Sequence, residues 1–341
     1  MNENSKKIKW GIVGSGGIAS KRTIPGMLLA HNALCQAVMD RDEQVVKNVQ
    51  ERFQIPEAYT SLESLIAQSD IDAVYIATPV FCHKEQVMKV AETGKHILLE
   101  KPMGLTSKEG EEMIAFCKER NVKLGVGFMM RFHDAHQKIK KLIESGLIGD
   151  VVSANAKFNC WYPVSDQIWR QTKAFGGGGA MMDMGIHCID LLQYLTGLHT
   201  ECVAAVCGNQ IFSYPDVEDA ASAVLKMNNG AFFTVEANFN IPESVGCKFE
   251  IYGTKGCVIA DRTLGQTETG SVRFFEKNNA EGKYVPLEYE SGNMYTKEID
   301  AFSVAVIKDT SVPVSAIEGV FDQRIVEAIY ESQVLEKHIH L

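Results

Sequence analysis

Residues 8–19 read Ile-Lys-Trp-Gly-Ile-Val-Gly-Ser-Gly-Gly-Ile-Ala. The run from Ile8 to Val13 is apolar with little polar alternation, as in a strand covered on both faces. Gly14, Gly16 and Ala19 fit the spacing G-x-G-x-x-G/A, placed after a strand and before a helical pattern. Gly14 permits a tight turn. Gly16 lets the backbone approach a pyrophosphate. Ala19 allows the helix to pack close to the strand. The helix that follows directs its N-terminus at the phosphates. Gly14, Gly16, Gly17, Ile18 and Ala19 are therefore candidate dinucleotide contacts.

Moving outward, the apolar runs 34–39, 73–78, 96–99 and 123–128 alternate with helical patterns at 43–53, 61–68, 84–93 and 108–120. This alternation predicts βαβ units and a parallel sheet. The character changes after about residue 150. Segments 151–161, 201–211, 220–227, 231–239, 248–252, 257–261 and 271–276 alternate in the manner of half-covered strands. Asn228-Asn229-Gly230 and Gly253-Thr254-Lys255-Gly256 read as hairpin turns. Helices are expected at 135–144, around 183–195, and at 320–336. The chain thus reads as an α/β nucleotide-type domain, 1–125, followed by an α+β domain, 126–341, on a mostly antiparallel sheet.

Composition narrows the function. The chain has 341 residues, 45% hydrophobic and 23% charged, which is ordinary globular usage. The net charge of −9 disfavours nucleic-acid backbone and anionic membrane surfaces as partners. No run of about 18 apolar residues predicts a bilayer span. Residues 1–9 are polar and lack a signal-peptide core, so a cytoplasmic location is expected. The nine cysteines are scattered with no C-x-x-C pair, and read as reduced, mostly buried thiols. His133/His136 and His338/His340 have metal-like spacing but no clear third ligand, so no metal site is expected. No G-x-S-x-G elbow of a serine hydrolase is present.

Chemistry-bearing residues cluster at expected strand ends. Asp40 follows Gly16 by 24 positions, close to the roughly 20-residue spacing of the ribose-binding acid. A carboxylate there accepts from both ribose hydroxyls and repels a 2′-phosphate, which favours NAD. Arg41 beside it leaves NADP open, since a guanidinium can hold a 2′-phosphate. Thr78-Pro79, with His83 just beyond, and Glu100-Lys101-Pro102 follow further strands, where open α/β sheets bind ligands. Pro102 fixes the local backbone and admits a cis peptide. Lys101 reads equally as a solvated charge or a site cation. Asp183 and His187 are four apart, on one face of a helix, which suits a general base and its stabilising carboxylate. The glycines 176–179 ahead of them suggest chain passing close to a ligand.

Gly-Ile-Val-Gly-Ser-Gly-Gly-Ile-Ala at 11–19, Ala-Thr-Pro at 77–79, Glu-Lys-Pro at 100–102 and Asp-Met-Gly-Ile-His at 183–187 occur in one order. Met130-Arg131-Phe132, Gly146–Gly149 and Trp169-Arg170 add to them. The ordered set resembles the glucose–fructose oxidoreductase / inositol dehydrogenase / rhizopine-catabolism (Gfo/Idh/MocA) family over essentially the whole chain. The resemblance implies an N-terminal Rossmann domain and a C-terminal domain whose large open sheet pairs subunits into homodimers or homotetramers. It implies Lys101, Asp183 and His187 as the catalytic group. It places Thr78, Pro79 and Glu100 on the cofactor side, with Val80 standing where the family often has asparagine. It draws substrate contacts from Arg131, Tyr162, Asp166, Trp169, Arg170 and His187, with Tyr295 as a further place. The implied activity is hydride transfer between a nicotinamide and a secondary alcohol of a small sugar, cyclitol or related polyol. The competing readings are glycoside cleavage through transient oxidation, and a cofactor-binding sensor without turnover.

Overall fold

The computed structural model describes residues 6–165, 168–242, 246–277 and 282–341. Its contacts divide the chain into two compact units: residues 1–129 with 293–320, and residues 130–292 with 321–341. The sequence pattern places the boundary at 125 and runs the second domain to the C-terminus. The first unit instead runs on to Met129 and takes in 293–320, which returns to it.

The first unit holds six strands: β1 (Ile8–Val13), β2 (Ala33–Met39), β3 (Glu57–Tyr59), β4 (Ala73–Ile76), β5 (His96–Glu100) and β6 (Leu124–Gly127). They form an all-parallel sheet in the order β3-β2-β1-β4-β5-β6. The strand order reverses between β1 and β4, which is where a doubly wound sheet binds dinucleotides. Helices α1 (Ile24–Leu28), α2 (Glu43–Phe53), α3 (Leu62–Gln68), α4 (His83–Glu92) and α5 (Ser107–Glu119) connect the strands. Asp42, Ser61 and Thr106 cap three of them by accepting from the first-turn amides. Trp10, in β1, is fully buried; its indole N–H donates to Ser303 Oγ at 3.1 Å and its ring meets Phe302. That contact is part of what draws the segment from Asn293 back onto this unit.

The second unit contains α6 (Asp134–Glu144), β7 (Val151–Asn159), α7 (Lys173–Gly176), α8 (Ile186–Thr196), β8 (Thr200–Gly208), β9 (Ala220–Met227), β10 (Phe232–Asn238), β11 (Lys248–Gly253), β12 (Gly256–Asp261), β13 (Ser271–Glu276) and β14 (Val285–Pro286). Helix α9 (Met294–Ile307) belongs to the first unit. Helix α10 (Ala316–Leu335) counts with the first unit up to Val320 and with the second from Phe321, and β15 (Ile339–His340) closes the chain. The nine strands run β14-β13-β12-β11-β7-β10-β9-β8-β15, antiparallel except for β7 beside β10. Strand β9 shows the logic: Ala221, Ala223, Leu225 and Met227 are buried while Ser222, Val224 and Lys226 are exposed. Helix α8 packs on β7 and against α6, and is buried almost all round.

All nine cysteines are free thiols. Among the described residues no helix is long and apolar enough to cross a membrane, and no group of three His, Cys, Asp or Glu is placed to hold a metal ion.

Candidate active site

In the first unit the glycine turn leaves β1 at φ +83° on Gly14, a conformation open to glycine. A Cβ there would lie 2.9 Å from the Ala77 backbone, so β4 also requires glycine at this position. Gly16 is different. A Cβ on it would meet Val45 at 3.5 Å and Asp40 at 3.7 Å, ordinary contacts, and one on Gly17 would meet nothing within 4 Å. Gly16 thus has room for a Cβ, and Gly17 faces open space. Ala19 is fully buried in the core beneath, and Ile18 leads into a π-helical turn, Ala19–Thr23.

The Asp40 carboxylate, at the end of β2, accepts from Gly16 N–H and Asp42 N–H, both at 3.2 Å. It is thus held beside the turn, as a ribose-binding acid must be. Arg41 is exposed. The Ser15 hydroxyl is buried and has no partner among the described residues. Open space at Gly17, room at Gly16 and a tethered carboxylate fit a dinucleotide.

Thr78 donates to Gln86 Oε1 at 2.6 Å, and Pro79 opens a short 3-10 turn, Val80–Cys82. His83 corrects the sequence reading. Its ring is 1% exposed and bridges two turns, Nε2 lying 2.9 Å from Thr78 O and Nδ1 3.1 Å from Pro102 O. Burial lowers its pKa. It binds the two strand-end turns to each other rather than facing a cofactor. The Lys101–Pro102 peptide is cis. Tyr75 is fully buried and donates to Glu100, while Thr23 donates to Tyr75 at 3.0 Å. Tyr295, on α9, is 3% exposed, and its hydroxyl has no partner among the described residues. Burial pushes that phenol well up, with Glu100 and Glu298 adding to the effect.

In the second unit Asp183 lies in a π-helical turn, Met181–Gly185, that runs directly into α8 and His187. His187 is 4% exposed and its ring stands edge-on to Phe158. The Asp183 carboxylate pairs with Arg170 Nε at 3.5 Å, and the Arg170 guanidinium stacks 3.9 Å over Trp169. Trp169, Arg170 and Asp183 therefore form one group. Tyr162 is half-buried against Phe239, its carbonyl accepting from Tyr214. Asp166 lies outside the described residues.

Two sequence expectations change here. Arg131 is buried; its Nε donates to Asp190 at 2.9 Å and its guanidinium lies over Tyr194. It binds the loop before α6 to α8 instead of presenting itself to a solute. The glycine run also has a protein reason at each position. A Cβ on Gly176 would press on the Trp169 carbonyl at 2.9 Å, and Gly177 has φ +81° where α7 ends. One on Gly178 would overlap the Tyr330 hydroxyl, and one on Gly179 the Glu218 carbonyl. The close approach is to the protein's own side chains and backbone. Glu218 and Tyr330 were not anticipated, because both are distant in sequence from the segment they touch. The one available signal was that no Ser, Thr, Asp or Asn precedes Met181 to cap the helix locally.

The parallel sheet and its glycine turn define a dinucleotide-binding domain, and the family matches make the class an NAD(P)-dependent oxidoreductase. Residues 8–128 match the model of the oxidoreductase family with the NAD-binding Rossmann fold, and residues 136–259 match the GFO/IDH/MocA C-terminal domain. The chain belongs to the Gfo/Idh/MocA oxidoreductase family. It is 29% identical to D-xylose 1-dehydrogenase (NADP(+)) 2 of Haloferax volcanii, over 95% of this chain and 96% of that one. It is 32% identical to 2,7-anhydro-N-acetylneuraminate hydratase of Escherichia coli, over 78% and 70%. Among solved structures, the aldose-aldose oxidoreductase of Caulobacter crescentus, crystallised with glycerol, matches with a TM-score of 0.91 at 26% identity, covering 98% of this chain and all of that one.

Proposed function

We propose that this enzyme oxidises a secondary alcohol of a sugar, cyclitol or related polyol, or reduces the corresponding ketone. The observation that carries the reading is the Trp169–Arg170–Asp183 group one helical turn before a buried histidine, in a chain with an intact dinucleotide turn. An indole face and a guanidinium suit a ring bearing several hydroxyls. Relatives named for xylose and aldose chemistry support the same substrate class.

In the forward direction the nicotinamide, when bound, accepts the hydride from the carbinol carbon. His187 takes the hydroxyl proton as general base. Asp183 stabilises the imidazolium that forms, and Arg170 pairs with the same carboxylate. Lys101 donates to the substrate oxygen and offsets its developing charge. Thr78, Pro79 and Glu100 line the cofactor side. Asp40 favours NAD over NADP. In this reading the enzyme is cytoplasmic. It is also a homodimer or homotetramer through the exposed face of the nine-stranded sheet, where Val206, Val224 and Phe232 stand 73%, 45% and 57% exposed.

The test is a titration with NAD and NADP followed by absorbance at the NADH band across polyols and aldoses. Reduction with one group of sugars is expected, and Asp40→Ala should weaken NAD binding and relax discrimination against NADP. A second reading, reaction without net reduction, is supported by the relative named a hydratase. Product release from a glycoside or anhydro-sugar with no NADH signal would replace the first reading with this one.

A further inference from the structure

The helical segment that begins at Met181 carries Asp183 in its first turn and His187 in its second. Any helix leaves its first N–H groups without intrahelical partners. Here the preceding residues, Gly177-Gly178-Gly179-Ala180, bear no side chain able to cap them. All these amides are nevertheless satisfied, and from far along the chain. Gly179 N–H donates to Glu218 Oε2 at 3.0 Å, and Ala180 N–H to the Glu218 carbonyl at 3.2 Å. Met181 N–H donates to Glu218 Oε1 at 2.8 Å, and Met182 N–H to the Tyr330 hydroxyl at 3.2 Å. The Tyr330 hydroxyl in turn donates to Glu218 Oε1 at 2.9 Å. The first intrasegment bond follows at once, from Asp183 N–H to Gly179 O at 3.0 Å.

We propose that Glu218 and Tyr330 are positioning residues, a remote cap that fixes the start of this segment and thereby the placement of Asp183 and His187. The inference rests on the dehydrogenase reading above for its kinetic consequence.

Three physical points support it. Glu218 is 7% exposed, and a carboxylate so buried is retained only where hydrogen bonds or charge repay its desolvation. Its charge lies at the positive end of the helix dipole, where an anion is favourable. Burial raises the Glu218 pKa while backbone amides and Tyr330 oppose the rise; burial, with the Glu218 charge adding to it, pushes the Tyr330 phenol up and keeps it a donor. Finally, Gly178 and Gly179 give the room: side chains there would strike Tyr330 and Glu218. The glycine run is thus the imprint of the cap.

The experiment uses the full-length enzyme with bound NAD and three variants. Tyr330→Phe removes one hydroxyl and leaves the ring. Glu218→Gln keeps one acceptor oxygen, and Glu218→Ala keeps none. Displacing reacting groups by about an ångström costs on the order of 10- to 100-fold in rate. Tyr330→Phe should lower kcat by about that factor, with KM and the NAD Kd held within about twofold. Glu218→Gln should recover part of what Glu218→Ala loses. A substrate-independent measurement accompanies the kinetics: methyl NMR of Met181, Met182 and Met184, which sit in the segment. These resonances should shift or broaden in Tyr330→Phe while methionines of the first unit do not. A Tyr330→Phe enzyme with reduced thermal stability, unchanged kcat and unmoved methyls would overturn the proposal. Moved methyls in a protein that turns over no sugar would instead sustain the cap and overturn the dehydrogenase reading.

Discussion

Two glycine-rich stretches lie in this chain, Gly14–Gly17 and Gly176–Gly179, and Gly16 in the first is glycine for the opposite reason to Gly178 and Gly179 in the second. In the first, a Cβ on Gly16 would make only ordinary contacts, while Gly17 faces open space at φ +48°, a conformation that favours glycine. At Gly16 the protein does not need the absent Cβ; a ligand approaching the backbone does. In the second, a side chain at Gly178 or Gly179 would collide with Tyr330 or Glu218. There the protein itself fills the space, and the chemistry is served at one remove. Sequence presents the two as alike; what lies opposite each Cα separates them.

The contrast can be broken by crossed substitutions. The largest effect is expected at His187, where replacement by Ala should lower kcat by about 10² to 10⁴, since a general base contributes that much; a near wild-type kcat would remove the second stretch from catalysis. Next is Gly179→Ala. Its Cβ would overlap the Glu218 backbone, which cannot swing away, so a loss of about 3 kcal/mol is expected in denaturant unfolding. NAD affinity measured on the folded fraction should stay unchanged. Gly16→Ala should do the reverse. Unfolding stability should change by less than about 0.5 kcal/mol, because the Cβ makes ordinary contacts. NAD should bind about tenfold more weakly, equivalent to about 1.4 kcal/mol. Equal losses of stability in the two variants would erase the distinction.

The smallest effect concerns pH and again separates the units. His83, in the first, lies among carbonyl oxygens that favour its protonated form, although burial lowers its pKa. His136, in the second, is fully buried and stacks on His133, with ring centroids 4.6 Å apart. Burial and the neighbouring imidazole lower its pKa to about 3. Its unfolded value is about 6.5. Between these values the unfolded chain binds the extra proton, so stability rises with pH and is lost as pH falls below about 6.5. From pH 6.5 to 5.5 the loss attributable to His136 is about 1 kcal/mol. Urea unfolding of the wild type and His136→Phe at both pH values measures it, the variant showing a shallower slope.

Local signals carried much of the fold. Strand β1 and helix α2 occupy the ranges that their patterns predict, because buried parallel strands and amphipathic helices write their periods directly into the chain. Strand β3 did not register: Glu57-Ala58-Tyr59 is a short edge strand with no apolar run. The return of 293–320 to the first unit was also invisible. It depends on contacts such as Ser303 to Trp10 that no local pattern encodes.

The candidate site divides in the same way. Sequence singled out the glycine turn, Asp40, Lys101, Asp183 and His187 because each belongs to a motif with fixed spacing. The resemblance implies Arg131 as a ligand contact, and His83 is expected as one from its place just beyond a strand end. Each is instead taken up by partners of its own, Asp190 for Arg131 and the Thr78 and Pro102 carbonyls for His83.

By itself, then, the sequence determined the chemistry available and the order in which strands and helices carry it, since spacing along the backbone is a local property. Only the tertiary structure decided what faces each of those groups. Glu218 lies 39 residues from Gly179, and Tyr330 lies 148 from Met182. A hydrogen bond or steric limit across such separations exists only once the chain has folded, and these contacts turn a run of glycines into the seat of a cap.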